Sequence, residues 1–293
     1  MKQQKSFENE GEKGILYLVP TPIGNLEDIS YRALRLLKEA DVIAAEDTRN
    51  TRKLCNYFDI ETPLTSYHEH NKGASGERLL ERLISGEKVA LVSDAGMPTI
   101  SDPGFELVER TIAEGLTVVP LPGANAALTA LIASGIKPQP FYFYGFLSRN
   151  KKEKRTELEM LAKQSATMIF YEAPHRLRET LMFMLEILGA ERKVVLCREL
   201  TKKFEEFIRG NLDEAAKWVE SGEVRGEFCL IVEGTTISEE EEKEDWWANI
   251  TIEQHVNHYI NEESMTSKEA IKQTAKNRGM HKRDVYQIYH VNE

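Results

Sequence analysis

The chain has no apolar stretch approaching the roughly 18 residues that span a bilayer, and Met1 to Lys13 is polar, without an apolar leader core. Both readings predict a cytoplasmic protein that does not associate with membranes. Three cysteines in 293 residues (Cys55, Cys197, Cys229) are too few and too scattered for a disulfide framework or a CxxC pair. Buried free thiols in a reducing compartment are expected. No Cys/His quartet has zinc-ligand spacing, so no metal is expected. His68 and His70 flank Glu69 in a polar stretch that reads as a surface loop. The common nucleotide signatures are missing too. Without GxxxxGK[ST] there is no P-loop. The first strand-to-helix turn has a single glycine, Gly24, and no GxGxxG, so a dinucleotide-binding Rossmann domain fits poorly, as does the commonest methyltransferase fold. A GxSxG nucleophile elbow is also absent.

Charge is plentiful but unevenly placed. The formal net charge of -10 argues against a general nucleic-acid binder. Much of the excess sits in one solvated run, EEEEKED from Glu239 to Asp245. Basic clusters occur elsewhere: Lys151, Lys152, Lys154 and Arg155; His175, Arg176 and Arg178; and Lys268, Lys272, Lys276, Arg278, Lys282 and Arg283. Local sign matters more than the sum when a phosphate backbone docks on one face.

The first part of the chain alternates strand and helix patterns. Apolar runs at Ile15–Val19, Val42–Ala45, Lys88–Val92 and Thr117–Pro120 read as strands. Helices fall between them, one carrying Ala33, Leu34, Leu37 and Ala40 with Asp28 or Ser30 as cap, one around Leu79–Ile84 and one at Phe105–Ala113. This alternation predicts a mostly parallel sheet covered on both faces. A second unit begins after Pro122-Gly123-Ala124-Asn125-Ala126-Ala127, a tight turn leading into a helix start. Its strand candidates are Phe141–Tyr144, Met168–Tyr171, Val194–Cys197 and Phe228–Val232, with Glu205–Ile208 as one arm of an antiparallel pair, so a mixed sheet is expected. Near the end, Thr266–Ala270 is a capped helix start, Asn277–Met280 a turn and Lys282–Tyr289 a second short helix. The pair has helix-turn-helix length and glycine placement, as a packed hairpin or as a nucleic-acid reader.

The most informative stretch is SDAGMPTISDPG, Ser93 to Gly104, directly after a buried strand. Gly96, Pro98, Pro103 and Gly104 shape the chain, and small residues let the backbone approach a ligand closely. In α/β sheets ligands sit beyond the carboxyl ends of the strands, so this loop and the Pro20–Asn25 turn are expected to face one cleft. Several short Gly/Pro-rich loops spread over both units suit a ligand held largely by backbone.

The ordered segments GILYLVPTPIGNLEDIS, AAEDTRNT, VSDAGMPTISDPGFELV, PLPGANAALTAL, FYEAPHRL and RELTKKFEEFIRGNL closely resemble the ribosomal-RNA 2′-O-ribose methyltransferases of the tetrapyrrole-methylase superfamily. The resemblance runs from about residue 14 to 235. It implies two α/β domains of the class III methyltransferase type with a cleft between them, and a small C-terminal helical domain. The boundaries expected are a polar tail (1–13), α/β domains at 14–123 and 124–236, an acidic linker (237–245) and a helical hairpin or helix-turn-helix-like domain (246–293). It further implies S-adenosylmethionine as methyl donor, no metal, a homodimer, and as acceptor a decoding-centre cytidine (cytidine-1402) of 16S rRNA in the small ribosomal subunit. Two positions depart from the family pattern: Met97 replaces a small hydroxyl residue and Ser148 a proline.

By that resemblance Pro22, Ser93, Ala95, Gly96, Met97, Ile100, Ser101, Asn125 and Ala126 line the donor cleft, with Tyr171, Leu200 and Phe228 on the adenine side. A ribose hydroxyl is a poor nucleophile, so a general base helps. Candidates are Glu46, Asp47 and Glu172. Each has a plainer role open to it: Asp47 as a helix cap, Glu172 as the ion-pair partner of Arg176 or Arg198. Arg49 either holds a phosphate or neutralises Glu46. Lys151, Lys152, Arg155, His175 and Arg176 are RNA-contact candidates, against an exposed basic helix face. Phe141 to Tyr144 offer rings for stacking a base, half of them core by alternation. The alternatives are a relative acting on a tetrapyrrole or a protein side chain, and a non-catalytic RNA-binding protein.

Overall fold

The computed structural model describes residues 1, 3–6, 13–222, 224–235, 247 and 250–291. The acidic run Glu239–Asp245, with the linker expected there, lies outside the described residues, as does most of the N-terminal tail. The chain divides into two compact units, Met1–Thr235 and Thr236–Glu293.

The first unit holds two sheets. In the first, β1 (Ile15–Leu18), β2 (Val42–Ala45), β3 (Leu64–Ser66), β4 (Lys88–Val92) and β5 (Thr117–Pro120) run parallel in the order β3-β2-β4-β1-β5. Successive side chains on a strand point to opposite faces. Ile43 and Ala45 pack with Ala33, Leu36 and Leu37 of α1 (Tyr31–Glu39) and Cys55 of α2 (Thr48–Tyr57). Val42 and Ala44 pack with Leu79 and Leu83 of α3 (Lys72–Ile84) and Leu107 of α4 (Phe105–Ala113). Burial on both faces is why these strands read as continuous apolar runs. Ser30, not Asp28, caps α1, accepting from Ala33 N at 3.1 Å.

The second sheet follows α5 (Ala126–Ser134). It comprises β6 (Phe141–Phe146), β7 (Thr167–Glu172), β8 (Lys193–Arg198), β9 (Glu206–Asn211) and β10 (Phe228–Val232), in the order β6-β7-β10-β8-β9. Only β6 and β7 are parallel, so the sheet is mixed. One face packs on α6 (Lys151–Leu161), α7 (Pro174–Leu188) and α8 (Leu212–Glu220) through Leu158, Leu177, Leu181 and Ala215. The other face packs on α5 through Ala127, Ala130 and Leu131.

The second unit contains α9 (Ile252–Asn261), α10 (Ser267–Asn277) and α11 (Lys282–Val291) around Val256, Tyr259, Ile271, Ala275 and Val285. Three helices stand where the sequence reads as a pair. Polar residues such as His255 and Asn257 interrupt the apolar period of α9, while His255 is itself buried and stacked on Trp247. No helix among the described residues is long and apolar enough to cross a membrane.

Candidate active site

Loops at the carboxyl ends of β1 and β4 are zipped together. Thr21 and Gly96 exchange both backbone hydrogen bonds at 2.9 Å, and the Thr21 hydroxyl donates to Ser93 O at 3.0 Å. Ser93 Oγ donates to Gly96 O at 2.9 Å, closing the turn from inside. Gly96 has φ +79°, where a Cβ is disfavoured. Thr99 is held at φ +74° without that freedom, a local strain of the kind found around ligand clamps. On the other side Asn25 N donates to Thr201 Oγ1 at 3.1 Å, linking the β1 loop to the β8–β9 turn. A Cβ on Gly123 would stand 2.6 Å from Pro20 Cβ, so these loops touch without side chains between them. Gly123→Ala is expected to cost about 1–3 kcal/mol of stability by overpacking and to weaken donor binding. Denaturant titration and calorimetry with S-adenosylmethionine check the two effects.

These loops wall a cavity of about 520 Å³. Its walls come from the β4 loop (Asp94 to Met97, Ile100 to Asp102), the start of α5 (Asn125, Ala126) and the second sheet (Tyr171, Cys197, Leu200, Phe228, Cys229). Ten of the twelve residues expected at the donor line it: Ala95, Gly96, Met97, Ile100, Ser101, Asn125, Ala126, Tyr171, Leu200 and Phe228. Pro22 and Ser93 instead line a neighbouring cavity of about 390 Å³, with Asn50, Lys53 and Tyr57 of α2. Asp94 borders both. The Tyr171 hydroxyl accepts from Ala127 N at 3.2 Å, and burial pushes its pKa up to about 12, so it stays a neutral wall. Cys197 and Cys229, opposite each other on β8 and β10, are wall residues that motif reading misses; period-two alternation with Val195 and Ile231 is the signal that places them on this face. All three cysteines are free and buried.

Carboxylates cluster where β2 and β4 end. Asp47 caps α2, accepting from Arg49 N at 2.8 Å, and the Arg49 guanidinium holds its carboxyl down to about 2. Arg49 therefore neutralises Asp47, the adjacent carboxylate on the same cap, rather than Glu46. Asp94 accepts from Asp47 N and Asn50 Nδ2, each at 3.1 Å, tying the β4 loop to α2. Glu46 is half-buried and its side chain hydrogen-bonds Asp102 on the cavity wall. Burial first, then the Asp102 and Asp94 charges and the Asp102 hydrogen bond, push Glu46 up to about 7. Burial also raises Asp102, with Asp94 adding to it, while its bond from Glu46 acts the other way. Both carboxyls are raised and share a hydrogen bond, so the two titrate as a unit.

Glu172 lines the cavity, yet its carboxylate is engaged inside the protein. It accepts from Thr180 Oγ1 at 2.5 Å and Ala173 N at 2.9 Å, and pairs with Arg176 Nε at 3.3 Å. Arg198 pairs with Glu206 instead. Arg176 also donates to Leu147 O and Ser148 O at 2.6 and 3.1 Å, so its guanidinium fastens the start of α7 to the β6–α6 loop rather than facing solvent. Ser148 uses the N–H that a proline would lack, donating to Glu157 at 2.8 Å. Among the other basic candidates, Lys151 meets Glu179, and Arg155 makes a two-pronged bond to Glu186 at 2.9 and 2.8 Å. Lys154, in the same cluster, is buried against Glu179 and Thr180. Lys152 is exposed, and His175 stands exposed at the cavity mouth, where it also borders a groove between α6 and α7. Neither half of Phe141–Tyr144 is fully core: Phe141 and Tyr142 are exposed, while Phe143 and Tyr144 pack on opposite faces.

Two α/β layers with a backbone-lined cavity beyond the strand ends, and on its wall an aspartate hydrogen-bonded to a glutamate of raised pKa, define a group-transfer enzyme of the methylase type. The chain belongs to the tetrapyrrole (corrin/porphyrin) methylase family, whose model matches residues 15–216. Within it, the chain is 60% identical over 293 residues, all of both chains, to Ribosomal RNA small subunit methyltransferase I of Bacillus subtilis. It is 59% identical over 290 residues, 99% of both chains, to the protein of that name from Halalkalibacterium halodurans, and 49% identical over 223 residues, 76% of this chain and 80% of the other, to that from Synechocystis. Two solved structures share the fold. Uroporphyrin-III C-methyl transferase from Thermus thermophilus, complexed with S-adenyl homocysteine, has a TM-score of 0.56 at 20% identity over 75% of this chain and 97% of that one. A cobalt precorrin-4 methyltransferase has a TM-score of 0.58 at 18% identity, covering 75% and 94%.

Proposed function

We propose that this protein transfers the methyl group of S-adenosylmethionine to the ribose 2′-hydroxyl of a decoding-centre cytidine in 16S rRNA of the small ribosomal subunit. The observation that carries the reading is the 520 Å³ backbone-walled cavity with Asp102 on its wall and Glu46 hydrogen-bonded to Asp102. The donor, when bound, supplies a methyl on a sulfonium cation, an intrinsically good leaving group. The residues present suit it. The turn at Gly96 brings the backbone itself to the cavity wall, and Tyr171 and Phe228 give flat apolar surface. Among the described residues that line the cavity there is no Lys or Arg to repel a sulfonium, and His175 stands only at the mouth.

What the protein itself must do is align the acceptor oxygen with the methyl, exclude water and take one proton. Deprotonated Glu46 accepts the 2′-hydroxyl proton as the new C–O bond forms. Its raised pKa makes it a competent base near neutrality, where an ordinary glutamate is too weak. Asp102, on the cavity wall, holds the Glu46 carboxyl by a hydrogen bond. Asp47, capped against Arg49, and Glu172, held by Thr180 and Arg176, fit structural parts better than the base. A cytoplasmic homodimer is part of the same proposal.

The test is ribose-methylation mapping on rRNA from cells lacking the protein. One 16S cytidine should lose its 2′-methyl and regain it when the gene product returns; an unchanged map refutes the assignment. The net charge of -10 favours recognition by shape as well as by phosphate attraction. Assembled subunits should therefore be methylated faster than deproteinised rRNA in a filter-binding assay of methyl incorporation, and equal rates contradict that.

A further inference from the structure

The C-terminal unit carries a charge pattern that the cavity does not use. Between Ser267 and Val291 six Lys/Arg residues stand against two carboxylates, Glu269 and Asp284, in a chain of net charge -10. In the first unit the basic candidates are largely neutralised in place, as Lys151, Arg155, Arg176 and Arg178 each meet a glutamate. On α10 and α11 the pattern reverses. Lys268, Lys272, Lys276, Lys282 and Arg283 are all exposed, and among the described residues none has an ion-pair partner. Glu269, next to Lys268 in sequence, is engaged by the capping box with Thr266.

Spacing turns these charges into a surface. Lys268, Lys272 and Lys276 recur every fourth residue, which makes one stripe about 12 Å long on α10. The opposite face of that helix buries Ala270, Ile271, Thr274 and Ala275. After the turn at Gly279 (φ +63°), Lys282 and Arg283 open α11. Cations in a first helical turn oppose the helix dipole, so their placement is not explained by stability of α11. Tyr286, one turn on, is exposed, with its ring 4.5 Å from that of His290, and offers a flat face beside the cations.

We propose that the exposed face of α10 and the first half of α11 docks the phosphodiester backbone of ribosomal RNA. The C-terminal unit then supplies affinity for the substrate while the first unit supplies chemistry. This rests on the RNA-methyltransferase reading above. Contacts of this kind position the enzyme and are salt-sensitive rather than sequence-reading.

The test uses the full-length protein with Lys268→Glu, Lys272→Glu and Lys276→Glu combined, and a milder triple Gln variant. All three side chains are exposed, so the helical core keeps its packing, which circular dichroism checks. Expected in the Glu variant are a KM for small subunits raised by about 10-fold or more, an unchanged kcat at saturation and unchanged S-adenosylmethionine affinity by calorimetry. The log–log salt dependence of subunit binding should flatten by about 2 to 3 in slope, roughly one for each phosphate left without its lysine. The Gln variant should fall between. An active enzyme whose KM and salt slope are unaffected overturns the proposal. A wild-type protein that methylates no subunit refutes the functional reading instead, and salt-dependent binding to 16S rRNA then still decides the docking surface.

Discussion

Glu46→Gln is expected to cut methyl transfer by about 100- to 10,000-fold, the usual range for loss of a general base, with S-adenosylmethionine affinity and denaturation midpoint nearly unchanged. The physical reason is the environment of its carboxyl. Burial and the neighbouring Asp102 and Asp94 charges disfavour the ionised form of Glu46 and push it up to about 7. A base works only when ionised. The rate of the wild-type enzyme should therefore climb with pH through about 7 and level off above it, falling tenfold per pH unit on the acid side. Replacing Asp102 with Asn removes a like charge, so Glu46 ionises more easily and the acid limb should move below 7. A pH–rate profile measured on subunits at saturating donor checks both. A flat profile through neutrality, or full activity of Glu46→Gln, takes Glu46 out of the mechanism.

Glu172→Ala should behave in the opposite way. The change removes a buried carboxylate that accepts from Thr180 and Ala173 and pairs with Arg176, whose side chain is only 15% exposed. Deleting Glu172 leaves the Thr180 hydroxyl and Ala173 N without that acceptor and Arg176 without its counter-charge, which for a buried pair costs about 3–5 kcal/mol. The urea midpoint should fall at unchanged m, because compactness of the denatured state is not altered. Turnover per folded molecule should fall far less than in Glu46→Gln. Should Glu172→Ala keep wild-type stability while losing activity, Glu172 and not Glu46 is the proton acceptor.

The contrast between these two glutamates shows where residue order stops being informative. Both stand at the carboxyl end of a buried strand, in AAED and FYEA, and both stand near a cation, so their sequence contexts are alike. What separates them is company from afar. Glu46 meets Asp102, which belongs to a different strand-end loop, whereas Glu172 meets Thr180 and Arg176 within the first two turns of its own following helix. Arg176 illustrates the same limit. Its HRLR surroundings suggest a phosphate contact, yet its guanidinium is consumed by carbonyls of the β6–α6 loop.

Patterns along the chain are enough for the strands at Val42–Ala45, Thr117–Pro120 and Phe228–Val232, whose ends match the apolar runs residue for residue. Burial of those strands makes their composition carry the message. β3 is not legible in the same way because Leu-Thr-Ser is three residues long, half-buried and polar at two positions; backbone pairing with β2 alone makes it a strand. Loop chemistry is likewise readable from Gly96, Pro98, Pro103 and Gly104, since turn residues act locally. Which of those loops meet, that Thr21 locks onto Gly96, and that Glu46 meets Asp102 are settled by packing. Hydrogen bonds and charge coupling between residues dozens of positions apart depend on distance in space, and only the folded chain sets that distance.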